Sequence, residues 1–187
     1  AVVVQPTENK NEGILTTHLH SDGTYAEKLA FLSPGSHAGY HQKYLDEKVD
    51  YGFSDETYGE LFLNEKMLKD GLVYPQMEGP FVFKLAVQKF PEVIQEALDK
   101  TGLTTKDIDM LIPHQANLRI SQFVQKKLGL NDHQVWNNIQ KYGNTTAASI
   151  PIALSEAVQT GAIQKGNLVC LAAFGSGFTW GSALIRW

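Results

Sequence analysis

Apolar positions along this chain change their period several times, and each change marks an element. The β-branched run Val2 to Val4, the turn-rich Gln5 to Gly13 and the alternating Ile14 to His20 read as a hairpin, closed by Ser21-Asp22-Gly23. From Thr24 to Gln76 the periodicity is lost, with Ser33-Pro34-Gly35-Ser36 and many aromatics. So long an irregular stretch in a compact domain reads as an excursion that covers a pocket or a subunit contact. Phe83, Val87, Phe90, Ile94 and Ala97 then fall three or four apart, which predicts a helix over 81–100. Pro91 lacks the N–H for a bond back to Val87 and is expected to kink that helix.

Gly102 supplies a left-handed stop, and Thr104 to Asp107 resembles a capping box ahead of the apolar strand Met110-Leu111-Ile112. A helix from about Asn117 to Leu128 ends at Gly129, and Val135 to Ile139 reads as a strand. An alanine-rich helix from about Thr145 to Gln159 ends at Gly161. Asn167 to Phe174 is a buried-type strand, Gly175-Ser176-Gly177 a tight turn and Phe178 to Trp187 a last strand. Alternation of this kind predicts an α/β fold, a mixed sheet covered by helices, with the last two strands antiparallel. No repeat at a solenoid period is present.

At 187 residues and 43% hydrophobic, the chain is long enough for one sizeable core. No apolar run reaches the roughly 18 residues of a membrane span, and the start has no signal-peptide pattern. A soluble, cytoplasmic protein is expected. The net charge of −4, without an arginine-rich run, argues against nucleic acid. The charge is uneven, however: Asp46, Glu47, Asp50, Asp55, Glu56 and Glu60 cluster mid-chain, whereas Lys84, Lys89, Arg119, Lys126 and Lys127 fall in the two helices around residue 114. An acidic partner is therefore able to dock there. The chain also opens directly on a β-branched run, as the interior of a domain would, so a fragment or one chain of a pair is expected.

Two polar side chains stand where an apolar strand is expected to give way to a helix: His114 in Leu111-Ile112-Pro113-His114-Gln115-Ala116-Asn117, and Asn144 in Tyr142-Gly143-Asn144-Thr145-Thr146-Ala147-Ala148-Ser149. Crevices in α/β sheets open at the carboxyl ends of strands, so the two can converge on one substrate atom. The helix after His114 presents its positive dipole end, which favours neutral imidazole over imidazolium. Asn144 is otherwise a good helix cap, but Gly143 and the small residues after it leave room for a substrate. A backbone N–H in the Gly175-Ser176-Gly177 turn can hold an oxyanion if it faces the pocket. His18, His20 and Asp22 imitate a metal site, with His37 and His41 as further candidates, but the spacing is not that of zinc and no metal is expected. Cys170, the single cysteine, sits in an apolar strand and reads as packing rather than as a nucleophile.

Ile14 to Asp22 and Met77 to Trp187 together resemble the C-terminal half of the β-ketoacyl-acyl carrier protein synthase III family, within the thiolase-fold superfamily. The segments that carry the resemblance are Thr17-His18-Leu19-His20-Ser21-Asp22-Gly23, Pro113-His114-Gln115-Ala116-Asn117-Leu118-Arg119, Gly143-Asn144-Thr145-Thr146-Ala147-Ala148-Ser149 and Ala173-Phe174-Gly175-Ser176-Gly177-Phe178-Thr179-Trp180-Gly181.

The resemblance implies half of a five-layered α/β/α/β/α architecture, a homodimer and a Cys-His-Asn triad, with His114 and Asn144 as its second and third members. The cysteine belongs to an N-terminal half that is absent from this chain, so this chain alone is expected to be inactive. The implied reaction is decarboxylative condensation of an acyl-coenzyme A primer with malonyl-acyl carrier protein, which starts fatty acid synthesis and needs no metal or redox cofactor. Asn117 and Ser176 are implied on the substrate and oxyanion side. Lys84, Arg119, Lys126 and Lys127 are implied in docking the acidic carrier protein. Ser176 stands where many relatives have glycine, and Thr24 to Gln76 is longer than the family's usual connection. Two other readings stay open, a non-catalytic partner subunit and a related ketosynthase of secondary metabolism.

Overall fold

The computed structural model describes residues 2–31, 63 and 65–187, so most of the 24–76 excursion, with its acidic cluster, His37 and His41, lies outside the described residues. The chain divides into two compact units. The first comprises Ala1–Ser21, Phe83–Gly175 and Thr179–Trp187, and the second comprises Asp22–Val82 and Ser176–Phe178.

The first unit is built on a mixed four-stranded sheet. β1 (Gly13–Ser21), β4 (Met110–Pro113), β5 (Leu168–Gly175) and β6 (Thr179–Arg186) lie in the order β1-β6-β5-β4. The β1/β6 and β5/β6 pairs are antiparallel and the β4/β5 pair is parallel. β4 and most of β5 are buried, which matches their near-continuous apolar sequences.

Helices cover both faces. On one, Ala153, Leu154 and Ala157 of α5 (Ser149–Gln159) pack with Met110, Ile112 and Val169. On the other, Leu111, Cys170 and Leu184 stand side by side through the register Leu111↔Cys170↔Leu184. The face of Leu184 also carries Ser182, two residues earlier, whose hydroxyl donates to the Val93 carbonyl of α2 (Gly79–Thr101) at 2.8 Å. Glu96 of α2 takes His18 at 3.0 Å and His20 at 2.6 Å from β1 on that same face. These histidines hold a helix to a strand, and among the described residues no cluster of metal-ligating side chains is present.

Two helix stops fall where the sequence places them: Gly102 at φ +70 after α2, and Gly129 at φ +69 after α3 (Leu118–Leu128). Asp107 accepts from the Thr104 backbone N–H at 2.7 Å and from its hydroxyl at 2.8 Å, closing the expected box before β4.

Pro91 lies inside α2, which runs as one helix of 23 residues with Phe90, Val93, Ile94, Ala97 and Leu98 buried. Two expectations fail for identifiable reasons. Val2 to Val4 form no strand and are exposed; β1 takes β6 as its partner instead, so the propensity of this run has no ladder to join. Val135 makes a single parallel bridge to Leu111, and the chain then leaves the sheet to form α4 (Ile139–Tyr142) rather than a strand to Ile139.

The second unit is smaller. A 3-10 turn over Gly23–Lys28 is capped by the Asp22 carboxylate, which accepts from Thr24 N–H at 2.9 Å. β2 (Leu29–Ala30) pairs antiparallel with β3 (Gln76–Met77), and α1 (Glu65–Lys69) lies between them in sequence. Lys28 pairs with Glu78 at 2.7 Å.

Candidate active site

His114 continues the parallel ladder one residue beyond β4, its N–H donating to the Ala172 carbonyl at 2.8 Å. This pins the residue at the carboxyl end of a central strand, where α/β sheets open their crevices. Asn117 then turns extended at φ −158, and its Oδ1 accepts from Arg119 N–H at 2.9 Å, capping α3. The imidazole is partly buried, and that burial holds its pKa below the ordinary histidine value, so the ring is neutral near pH 7. Burial thus favours the same neutral form that the helix dipole is expected to favour. Nδ1 lies 2.6 Å from the Ser149 hydroxyl oxygen.

Asn144 does not stand at a strand-to-helix hinge: the element before it is α4, because the Val135–Ile139 strand does not form. Nor does it cap α5, which begins only at Ser149 after a 3-10 turn over Thr146–Ala148. Its Oδ1 accepts from Thr146 N–H at 2.9 Å in an Asx turn, and Thr146 takes φ +51. The acceptor end of the exposed amide is thus engaged locally. Among the described residues its Nδ2 donates to nothing, so the remaining end is a donor.

The loop that carries Asn144 is fastened to the His114 turn at both ends. At the leading end, buried Gln115 donates through Nε2 to the carbonyls of Pro113 at 2.7 Å and Trp136 at 3.2 Å, and its Oε1 accepts from the N–H groups of Asn138 at 3.0 Å and Ile139 at 3.2 Å. At the trailing end, the Ser149 hydroxyl meets His114 and also accepts from Gln115 N–H at 3.3 Å.

A third tie comes from Glu156 of α5. It accepts from Asn138 Nδ2, Lys141 Nζ and Tyr142 OH, each at 2.7 Å, and these donors hold its carboxyl down to about 2. Gln115, Ser149 and Glu156 were not singled out from sequence. Their partners lie 14 to 35 residues away for Glu156 and Ser149 and 21 to 24 for the long-range bonds of Gln115, at no periodic spacing.

The other candidates are distributed as follows. Lys84 on α2 and Arg119, Lys126 and Lys127 on α3 are all exposed, within the first unit. Ser176 belongs to the second unit, where its hydroxyl donates to the Leu29 carbonyl at 2.5 Å. Cys170 is fully buried, and burial pushes its thiol up to about 12, so it is no nucleophile.

Residues 98–187 match the family described as 3-Oxoacyl-[acyl-carrier-protein (ACP)] synthase III C terminal. The chain is 42% identical over its whole length to a beta-ketoacyl-[acyl-carrier-protein] synthase III of Xanthomonas campestris, covering 49% of that protein. Over 136 residues it is 47% identical to one from Campylobacter jejuni, 71% of this chain and 42% of that one. Among solved structures it is similar to a 3-oxoacyl-[acyl-carrier-protein] synthase III from Aquifex aeolicus, with TM-score 0.74 and 34% identity, covering 97% of this chain and 46% of the other. One from Thermus thermophilus gives TM-score 0.73 and 36% identity, covering 96% and 47%. The fold is thus thiolase-like, as expected, and the chain spans about half or less of the length of these relatives.

Proposed function

Because residues 98–187 match the family described as 3-Oxoacyl-[acyl-carrier-protein (ACP)] synthase III C terminal, we propose that this chain is the C-terminal half of such an enzyme and supplies His114 and Asn144 to its condensing site. The reaction has two stages. A cysteine thiolate from the N-terminal half attacks the primer thioester, takes the acyl group and releases coenzyme A. Malonyl-acyl carrier protein then binds. Its C–C bond to the carboxylate breaks, carbon dioxide leaves, and the electron pair passes to the thioester oxygen as an enolate. The enolate carbon attacks the acyl-cysteine carbonyl and the thiolate departs.

His114 and Asn144 donate hydrogen bonds to the oxygen on which this charge develops, an interaction stronger in the transition state than before it. The single observation that carries the reading is the clamped pair of turns. A neutral imidazole and an amide with only its donor end open sit on two loops that Gln115 and Ser149 bind together. Asn117 keeps Nδ2 as a further donor on the substrate side while Oδ1 caps α3. The Ser176 hydroxyl donates to the Leu29 carbonyl within the second unit, so the oxyanion role implied for Ser176 rests on its backbone N–H.

Exposed Lys84, Arg119, Lys126 and Lys127 supply the positive charge that steers the acidic carrier protein. The sulfur comes from outside this chain, since Cys170 is sealed in the core; the chain alone is inactive, and the complete enzyme is a cytoplasmic homodimer with no cofactor beyond its thioester substrates. The test is malonyl-acyl carrier protein decarboxylation by the assembled enzyme. His114→Ala and Asn144→Ala should each lower kcat about 100-fold or more with unchanged circular dichroism. Near-wild-type decarboxylation in either variant overturns the assignment.

A further inference from the structure

We propose that Ser149 is a positioning residue that fixes the tautomer of His114, keeping the hydrogen on Nε2 so that the ring acts as a donor there. The inference rests on the reading that His114 works as a hydrogen-bond donor, but its geometry stands apart from that reading.

Ser149 is 2% exposed, at the first position of α5, and its hydroxyl oxygen has two neighbours among the described residues. One is Gln115 N–H at 3.3 Å, which can only donate, so it occupies an oxygen lone pair. The other is His114 Nδ1 at 2.6 Å. A hydroxyl carries a single hydrogen. If Nδ1 were the protonated nitrogen, both neighbours would donate to Oγ and the buried O–H would have no acceptor. Buried donors without acceptors are rare because they lose their water bonds without replacement.

With the hydrogen on Nε2, every atom is satisfied. The Ser149 O–H donates to the Nδ1 lone pair, Oγ accepts from Gln115, and Nε2–H remains as the one ring hydrogen, without a partner among the described residues. Ring burial keeps the neutral form in place, and Ser149 selects which neutral form it is. No side chain was needed at this spot to cap α5, since the helix begins through a 3-10 turn.

The experiment is long-range proton–nitrogen correlation spectroscopy of nitrogen-15-labelled protein, with the His114 ring signals assigned by their loss in His114→Ala. The expected wild-type pattern has hydrogen on Nε2 and a bare Nδ1. Ser149→Ala should shift it towards a mixture of tautomers, and Ser149→Thr, which keeps a hydroxyl, should restore it. In turnover, Ser149→Ala should lower kcat for decarboxylation about tenfold with little change in KM, and Ser149→Thr should recover most of it.

Hydrogen on Nδ1 in the wild-type protein overturns the proposal outright, and this result needs no variant to fold. So does an unchanged tautomer in Ser149→Ala. Loss of turnover in His114→Ala together with an unshifted tautomer in Ser149→Ala refutes this inference and leaves the functional reading intact. The expected tautomer pattern with full turnover in His114→Ala does the reverse.

Discussion

Replacing Gln115 with methionine keeps the side-chain volume and removes all of its hydrogen bonds. The residue is 3% exposed, so water cannot take over on that side. Asn138, 5% exposed, loses the acceptor of its N–H, and an orphaned buried donor costs roughly 1–3 kcal/mol. Ile139 N–H loses the same acceptor but is only partly buried and recovers some hydration, so it adds about 1 kcal/mol. The carbonyls of Pro113 and Trp136 add less, because a carbonyl tolerates a vacant lone pair better than an N–H tolerates having no acceptor. Removing an amide from an apolar wall returns part of this, and the expected net loss is about 2–4 kcal/mol. Urea unfolding reads it as a lower midpoint at unchanged m-value. Hydrogen exchange should show the Asn138 and Ile139 amides opening faster than those of β5. A loss below about 1 kcal/mol, or exchange unchanged at both amides, would refute the view that Gln115 binds the two turns together.

Glu156 should make stability depend on pH in a defined window. Its folded carboxyl is held at about 2 against an ordinary 4.5, so its contribution is fully present above 4.5 and is lost as pH falls towards 2. Glu156→Gln should flatten the urea midpoint across that window and lower it at neutral pH; an identical profile in wild type and variant would count against the triple contact. Cys170, with its thiol at about 12, should stay unalkylated by iodoacetamide at pH 8 under native conditions and react once urea is added, by mass spectrometry of its peptide. Native alkylation within minutes, or an acyl adduct after acetyl-coenzyme A, would show the strand to be open. Arg119→Glu should raise KM for malonyl-acyl carrier protein several-fold while acyl transfer from coenzyme A changes little; equal effects on both would remove Arg119 from the docking face.

The elements with a clean 3.6 period and a terminal glycine were legible in the sequence. α2 and α3 end within a residue or two of where Gly102 and Gly129 place them, because a left-handed φ is costly for any other residue. Composition alone does not settle a strand. Val135 to Ile139 has the residues of a strand, yet the Ile139 N–H goes to a glutamine side chain instead of a ladder, and no local pattern shows that. Without that strand, Asn144 lies in a loop between two helices rather than at the expected hinge. His114 was legible because its strand is apolar and its ladder bond to Ala172 is set by β4/β5 register. Ser149, by contrast, looked like one more small residue in Thr-Thr-Ala-Ala-Ser, since what distinguishes it is a nitrogen 35 residues earlier.

That difference has a physical basis. The location of a site is set by which strands end where, and hydrophobic period reports this well. Its chemistry depends on which atom of each polar group remains open once the surroundings have taken the rest. Asn144 becomes a donor because Thr146 N–H occupies its oxygen, and the state of His114 is set by burial on one side and a hydroxyl on the other. Each of these is a subtraction made by a neighbour, backbone in one case and side chain in the other. A site of this kind tolerates change in residues that merely fill space, but not in those whose bonds decide which atoms remain open. Gln115 and Ser149 belong to the second group although neither is placed in contact with substrate, since they fasten the two ends of the single loop on which the amide donor rides.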